Sequence, residues 1–145
     1  MHRRRFLLLA SSAVWGLPLL SSCTREPSVG PVRIVWDRDT CEHCKMIISE
    51  KRFAAQIRNP AMRVYKFDDF GCAVSFLKNQ EWAAQPAEFW VADMSNSGQW
   101  LDARQAHYLG GKTTPMGFGF GATTLTGAGI VSYEEARKAV LAFLE

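Results

Sequence analysis

Most of the devices by which a sequence announces catalysis or nucleic-acid binding are missing from these 145 residues. There is no G-x-S-x-G elbow and no His-rich zincin helix, and Gly117-Phe118-Gly119-Phe120-Gly121 lacks the spacing of a dinucleotide loop. Basic residues cluster only at Arg3, Arg4 and Arg5. Taking those three from the 17 Lys and Arg leaves 14 bases against 14 acids, so the formal charge of +3 belongs to the first residues. The remainder offers no basic track for phosphates, which argues against a nucleic-acid partner. Cysteine is scarce too, at four residues, and that scarcity bears on what the thiols do.

What is present begins with an export signal. The three arginines precede an apolar run from Phe6 to Leu20, interrupted by Gly16 and Pro18 and too short for a comfortable membrane span. Leu20-Ser21-Ser22-Cys23 resembles a bacterial lipobox, so residues 1–22 read as a cleaved lipoprotein signal and Cys23 as a lipidated membrane anchor. Arg3-Arg4-Arg5-Phe6-Leu7 also resembles a twin-arginine signal, which leaves the general and the twin-arginine routes both open. Residues 23–31, with Pro27, Gly30 and Pro31, read as a tether, and 32–145 as one domain able to bury roughly two-thirds of its unfolded surface. With Cys23 committed to the anchor, Cys41, Cys44 and Cys72 remain. An odd number of thiols in an exported chain argues against a pure disulfide framework and flags a free or metal-bound cysteine.

Periodicity predicts short strands and two helices. Arg33–Trp36 reads as a first strand, and Cys44–Ile48 as a hairpin partner of Phe53–Ile57. Val64–Phe67 is a further strand, after which Asp68 or Asp69 caps a helix whose apolar stripe includes Cys72. Residues 87–94 and 100–103 read as a second hairpin, 103–111 as a loop or helical turn, and 114–125 as a strand. Ser132 and Glu135 form a capping box before an apolar stripe at Ala136, Ala139, Val140 and Phe143. The expected class is α+β, with mostly antiparallel short strands and one helix per half.

The chemistry concentrates in Cys41-Glu42-His43-Cys44-Lys45-Met46. A redox C-x-x-C pair sits at a helix N-terminus, but this one leads into a segment that reads as strand. Haem attachment needs a histidine where Lys45 stands. Zinc wants four closed donors, and the only further ones are Cys72, read as buried core, and His43 or His107. On a strand, the period of two sets Cys44 and Met46 on one face. A thiolate beside a thioether is a soft pair that selects Cu(I). Met116, between Pro115 and Gly117, is a further thioether candidate; Met94 ends a strand after Asp93, and Met62 lies in a polar loop. His107 follows the second hairpin, toward the same end of the sheet. Asp68 and Asp69 read as helix caps.

Together with the lipobox, the C-x-x-C-x-M element, "FAAQI" at 53–57, "KFDDFGCAVSFL" at 66–77, "FWVADM" at 89–94, "WLDARQAHYL" at 100–109 and "TPMGFGFGA" at 114–122 resemble the NosL family. These are copper-handling accessory lipoproteins of nitrous oxide reductase. The resemblance implies a periplasm-facing, membrane-anchored metallochaperone that binds one Cu(I) and passes it to a cuproprotein or its assembly machinery without turnover. It also implies two small ββαβ-like units resembling the organomercurial lyase-type fold. By position, the C-x-M element falls on Cys44 and Met46 and the P-M-G element on Met116, with Met94 and His107 in shared motifs. Cys41 departs from members with a single cysteine, as a further thiolate or a disulfide partner. Two other readings stay open: a periplasmic thiol-disulfide reductase working through Cys41 and Cys44, and a passive lipoprotein scaffold. Whether the domain forms a homodimer is open as well.

Overall fold

Ala55-Gln56-Ile57-Arg58 is buried at every position. Backbone N–H and C=O groups so placed have no water to turn to, so the segment needs partners on both edges. The computed structural model describes residues 26–145 and gives it both. β1 (Ala55–Arg58) lies between β2 (Val64–Phe67) and β3 (Glu88–Ala92), and β4 (Trp100–Asp102) completes an antiparallel sheet in the order β2-β1-β3-β4. Ile57 faces Tyr65 on one side and Phe89 on the other. Between β2 and β3 runs α1 (Phe70–Lys78), whose N-cap is Asp69, with its carboxylate accepting from the Gly71 N–H.

The second half folds as β5 (His107–Leu109), β6 (Gly121–Thr123) and β7 (Ile130–Val131), in the order β6-β5-β7, followed by α2 (Tyr133–Phe143). Ser132 and Glu135 form the expected capping box. A parallel bridge from Asp93 to Ala122 joins the two sheets, and α1 packs on α2. The class is therefore α+β with two antiparallel sheets and one helix per half. The first half runs ββαβ with β4 added; in the second, three strands precede the helix.

The core is aromatic where the halves meet. Phe70 on α1 lies 4.4 Å from the Tyr108 ring and 6.2 Å from those of Phe89 and Tyr133, centroid to centroid. Tyr108 is fully buried and donates its hydroxyl to the Ala103 carbonyl at 2.6 Å, so its one polar atom is satisfied. Burying a side chain of this size contributes about 1.5–3 kcal/mol.

Several local expectations are corrected. Arg33–Trp36 is not a strand: Val32 exchanges both backbone hydrogen bonds with the buried Gln56 side chain, at 2.9 and 3.0 Å, instead of with a neighbouring strand. Cys44–Ile48 does not pair with Phe53–Ile57, because Ile47 bridges back to Thr40 while β1 takes β2 and β3. Residues 107–109, expected as loop or helical turn, are strand, and only 121–123 of the expected strand at 114–125 is. On α2 the buried face is Tyr133, Ala136 and Val140; Ala139 is exposed, and Phe143, 69% exposed, only edges onto Phe118. The signal at 1–22 and the lipidation of Cys23 fall outside the described residues. Among the described residues no helix is long and apolar enough to cross a membrane.

Candidate metal centre

The thiols are gathered by a turn. Thr40 and Ile47 form an isolated antiparallel bridge, and the chain between them closes on itself: the Cys41 N–H donates to the Met46 carbonyl at 2.7 Å, and the Lys45 N–H to the Cys41 carbonyl at 3.0 Å. Lys45 takes up the reversal in the left-handed region, at φ 65°. The Glu42 N–H donates to the Lys66 carbonyl at 2.9 Å, which fastens the turn to β2 just before that strand runs into Asp68. Asp69 caps α1 and leaves Asp68 for something else. Cys72 follows three residues after the cap, in the first turn of the helix.

The donor atoms of Cys41, Cys44, Asp68 and Cys72 all lie within 4.8 Å of one another. All three cysteines are free thiols. Cys41 and Cys72 have no exposure and Asp68 has 2%, while Cys44 is half-buried and forms the mouth. The Cys44 thiol donates to Asp68 Oδ2 at 3.4 Å. Asp68 Oδ1 is buried with no hydrogen-bond partner. An orphaned carboxylate oxygen is costly to keep in a core, and its lone pair is a donor that fits a cation.

Electrostatics divides the three thiols. The neighbouring Cys72 thiol lowers Cys41 to about 7, against the opposing effect of burial. Burial pushes Cys44 up to about 11, with the adjacent Cys41 thiol and Asp68 adding to it. Cys72 is pushed far higher by the same contact with Cys41 and by burial. One proton thus leaves this cluster readily, and the others leave when a cation replaces them.

Three thiolates suit a soft ion such as Cu(I). Three thiolates and a carboxylate also make the four closed donors that a tetrahedral Zn2+ site requires. The sequence offered no such set, because Cys72 sits at an apolar helical position and Asp68 beside a second, equally good cap. The fold uses one aspartate as the cap and turns the other inward.

The remaining candidates are placed differently. Met46 stands 56% exposed just past the turn at 42–44, and because residues 44–46 form no strand, no alternation of faces pairs it with Cys44. Met116 is half-buried against the core, and its N–H donates to Asp69 Oδ2 at 3.1 Å. Its loop rests on the first turn of α1, where a Cβ on Gly71 would fall 2.0 Å from Cγ of Phe118. The P-M-G element therefore shares a helix start with Cys72. Met94 packs against Gly121 at the joint of the sheets. His107 lies on β5 opposite Thr123 and lines a cavity of about 260 Å³ with Asp102 and Gln105. Neither His107 nor the exposed His43 belongs to the thiol cluster.

Comparison with known proteins fits this picture. The sequence profile of the NosL family matches residues 31–138. Among solved structures, the chain is similar to the copper chaperone NosL from Shewanella denitrificans, with a TM-score of 0.58 and 22% identity over 80% of this chain and 88% of that one. No curated protein sequence matches. At that identity the structural likeness speaks for the fold, whereas the profile spans most of the sequence: the chain belongs to the NosL family.

Proposed function

We propose that this chain is a periplasm-facing copper carrier, held to a membrane through Cys23, that binds Cu(I) at the thiol cluster and hands it on for assembly of nitrous oxide reductase or a similar cuproprotein. The observation that carries the reading is the buried set Cys41, Cys44, Cys72 and Asp68 with its single half-exposed member. Family membership and the copper chaperone with the same fold support it.

The chain's own residues suggest how an ion is taken and given up. Entry is at Cys44, since the other three donors are sealed from solvent. Cys41, with its lowered pKa, is the first to present a thiolate from behind. Met46, exposed two residues beyond Cys44, carries a thioether that neither titrates nor forms disulfides, and on this reading it is the outer ligand during exchange. An acceptor's ligand approaches from that side before Cys44 lets go. Met116 is positioned by Asp69 to follow any movement of the helix start.

Transfer is the test. The Cu(I)-loaded chain, mixed without oxygen with copper-free nitrous oxide reductase and separated by size, should lose its copper to the enzyme, and the Met46→Ala chain should do so more slowly. Copper that stays put, or moves no faster than from a small-molecule complex, overturns the carrier reading. The orphaned Asp68 oxygen favours a second reading, in which the four donors hold Zn2+ as a closed structural ion. One equivalent of zinc in the purified chain, not displaced by Cu(I) and indifferent to Met46→Ala, would select it.

A further inference from the structure

We propose that Cys41 and Cys72 are an oxidative modification site: in the metal-free chain they close to a buried disulfide, reached through Cys44, which leaves Cys44 as the single thiol at the mouth. The consequence for copper rests on the function proposed above; formation of the bond does not.

The geometry supplies the pairing. All three sulfurs lie within 4.8 Å of one another, close enough for any pair to approach the S–S bond length of about 2 Å. Cys44 is already committed, donating to Asp68 Oδ2 at 3.4 Å. Joining Cys41 to Cys44 would remove that donor and leave both oxygens of a buried carboxylate without a partner, since Oδ1 has none. Joining Cys41 to Cys72 leaves the Cys44–Asp68 hydrogen bond in place. The two cysteines are also held by different parts of the chain, one on the turn fastened to β2 and the other in the first turn of α1. Their disulfide would tie the turn to the helix.

Access dictates the route. Cys41 and Cys72 have no exposed surface, so an oxidant meets Cys44 first. The co-reactant is a disulfide, of a protein or of glutathione. Cys44 sulfur attacks it, forming a mixed disulfide and releasing one thiol. Cys41 then attacks the Cys44 sulfur and expels the second thiol; with Cys41 held in that bond, the contact that keeps Cys72 protonated is gone, and Cys72 gives up its proton and attacks Cys41, returning Cys44 to the reduced state. Two protein thiols lose two protons and two electrons, and the external disulfide gains both as two thiols. The finished chain keeps Cys44 and Met46 but has lost two of its three thiolates, so its hold on a soft ion falls.

The test treats the reduced, metal-free full chain with glutathione disulfide, alkylates the remaining thiols and maps the peptides by mass. The expected product is a Cys41–Cys72 linkage with Cys44 alkylated, and in Cys72→Ser the linkage moves to Cys41–Cys44. In Cys44→Ser the reaction should slow at least tenfold, because the entry thiol is gone. A wild-type product joining Cys41 to Cys44, glutathione retained on Cys44, three alkylatable thiols, or an unchanged rate in Cys44→Ser would overturn the proposal. Competition for Cu(I) by the oxidised and reduced chains is read separately: the oxidised chain should bind at least tenfold more weakly. A reduced chain that binds no Cu(I) would sink the copper reading while leaving the mapped bond intact.

Discussion

Asp68 is the residue on which the site's chemistry turns. One oxygen accepts from Cys44 and the other is buried without a partner, so the metal-free chain bears a cost that a bound cation relieves. Asp68→Asn should therefore leave the metal-free melting temperature unchanged or raised, while weakening the bound ion on the order of tenfold or more. Calorimetry with and without the ion checks both halves, and a variant less stable than wild type without metal would contradict the account. Glu88 makes a second prediction. Burial opposes its charge, but the Gly30 N–H and the Arg58 guanidinium, at 2.9 Å, outweigh burial and hold it below its ordinary value of 4.5. A depressed carboxylate stabilises the fold above that value, and the contribution is lost as pH falls through the folded one. The melting-temperature gap between wild type and Glu88→Gln should accordingly be full at neutral pH and shrink as pH falls below the ordinary value of 4.5. At this scale Cys41 and Cys44 were legible because they stand three residues apart in one short polar stretch. Cys72 and Asp68 were hidden by plausible local roles, which no spacing along the chain could distinguish from a ligand role.

At the scale of elements, the site depends on a turn and a helix start. Lys45 occupies the left-handed region, where a side chain costs about 1–2 kcal/mol. Lys45→Gly should stabilise the chain by up to about 1 kcal/mol in denaturant unfolding, and a loss would mean that the side chain's contacts with Glu42 outweigh the strain. Gly71 is needed because Phe118 lies against its backbone. Gly71→Ala should cost about 1–3 kcal/mol and shift the Met116 loop away from α1, seen as displaced Met116 and Phe118 methyl and ring resonances. Helix ends and the hairpin at 87–103 were readable from caps and alternation, since those signals are local. The strand expected at Cys44–Ile48 was not, because the alternation there is genuine but its intended partner, β1, is claimed on both edges by β2 and β3. Which strand wins an edge is decided by burial across the whole sheet.

For the whole molecule, the cluster takes its donors from the first half, while the second sends the Met116 loop to rest on the helix that carries Cys72. An ion bound there should stabilise the entire domain, by about 2.7 kcal/mol at a free concentration a hundred times its Kd. The α+β class was legible from the count of short strands and two capped helices, whereas the meeting of four donors from residues 41 to 72 is a property of the tertiary fold. The measurement that tests the central claim most directly is an oxygen-free titration of the reduced full chain with Cu(I) against a coloured chelator, alongside Cys44→Ser and Cys72→Ser. The account predicts one tightly held ion per chain and binding weakened at least tenfold in each variant. Wild-type affinity in both variants, or no competition by the wild type, would contradict it.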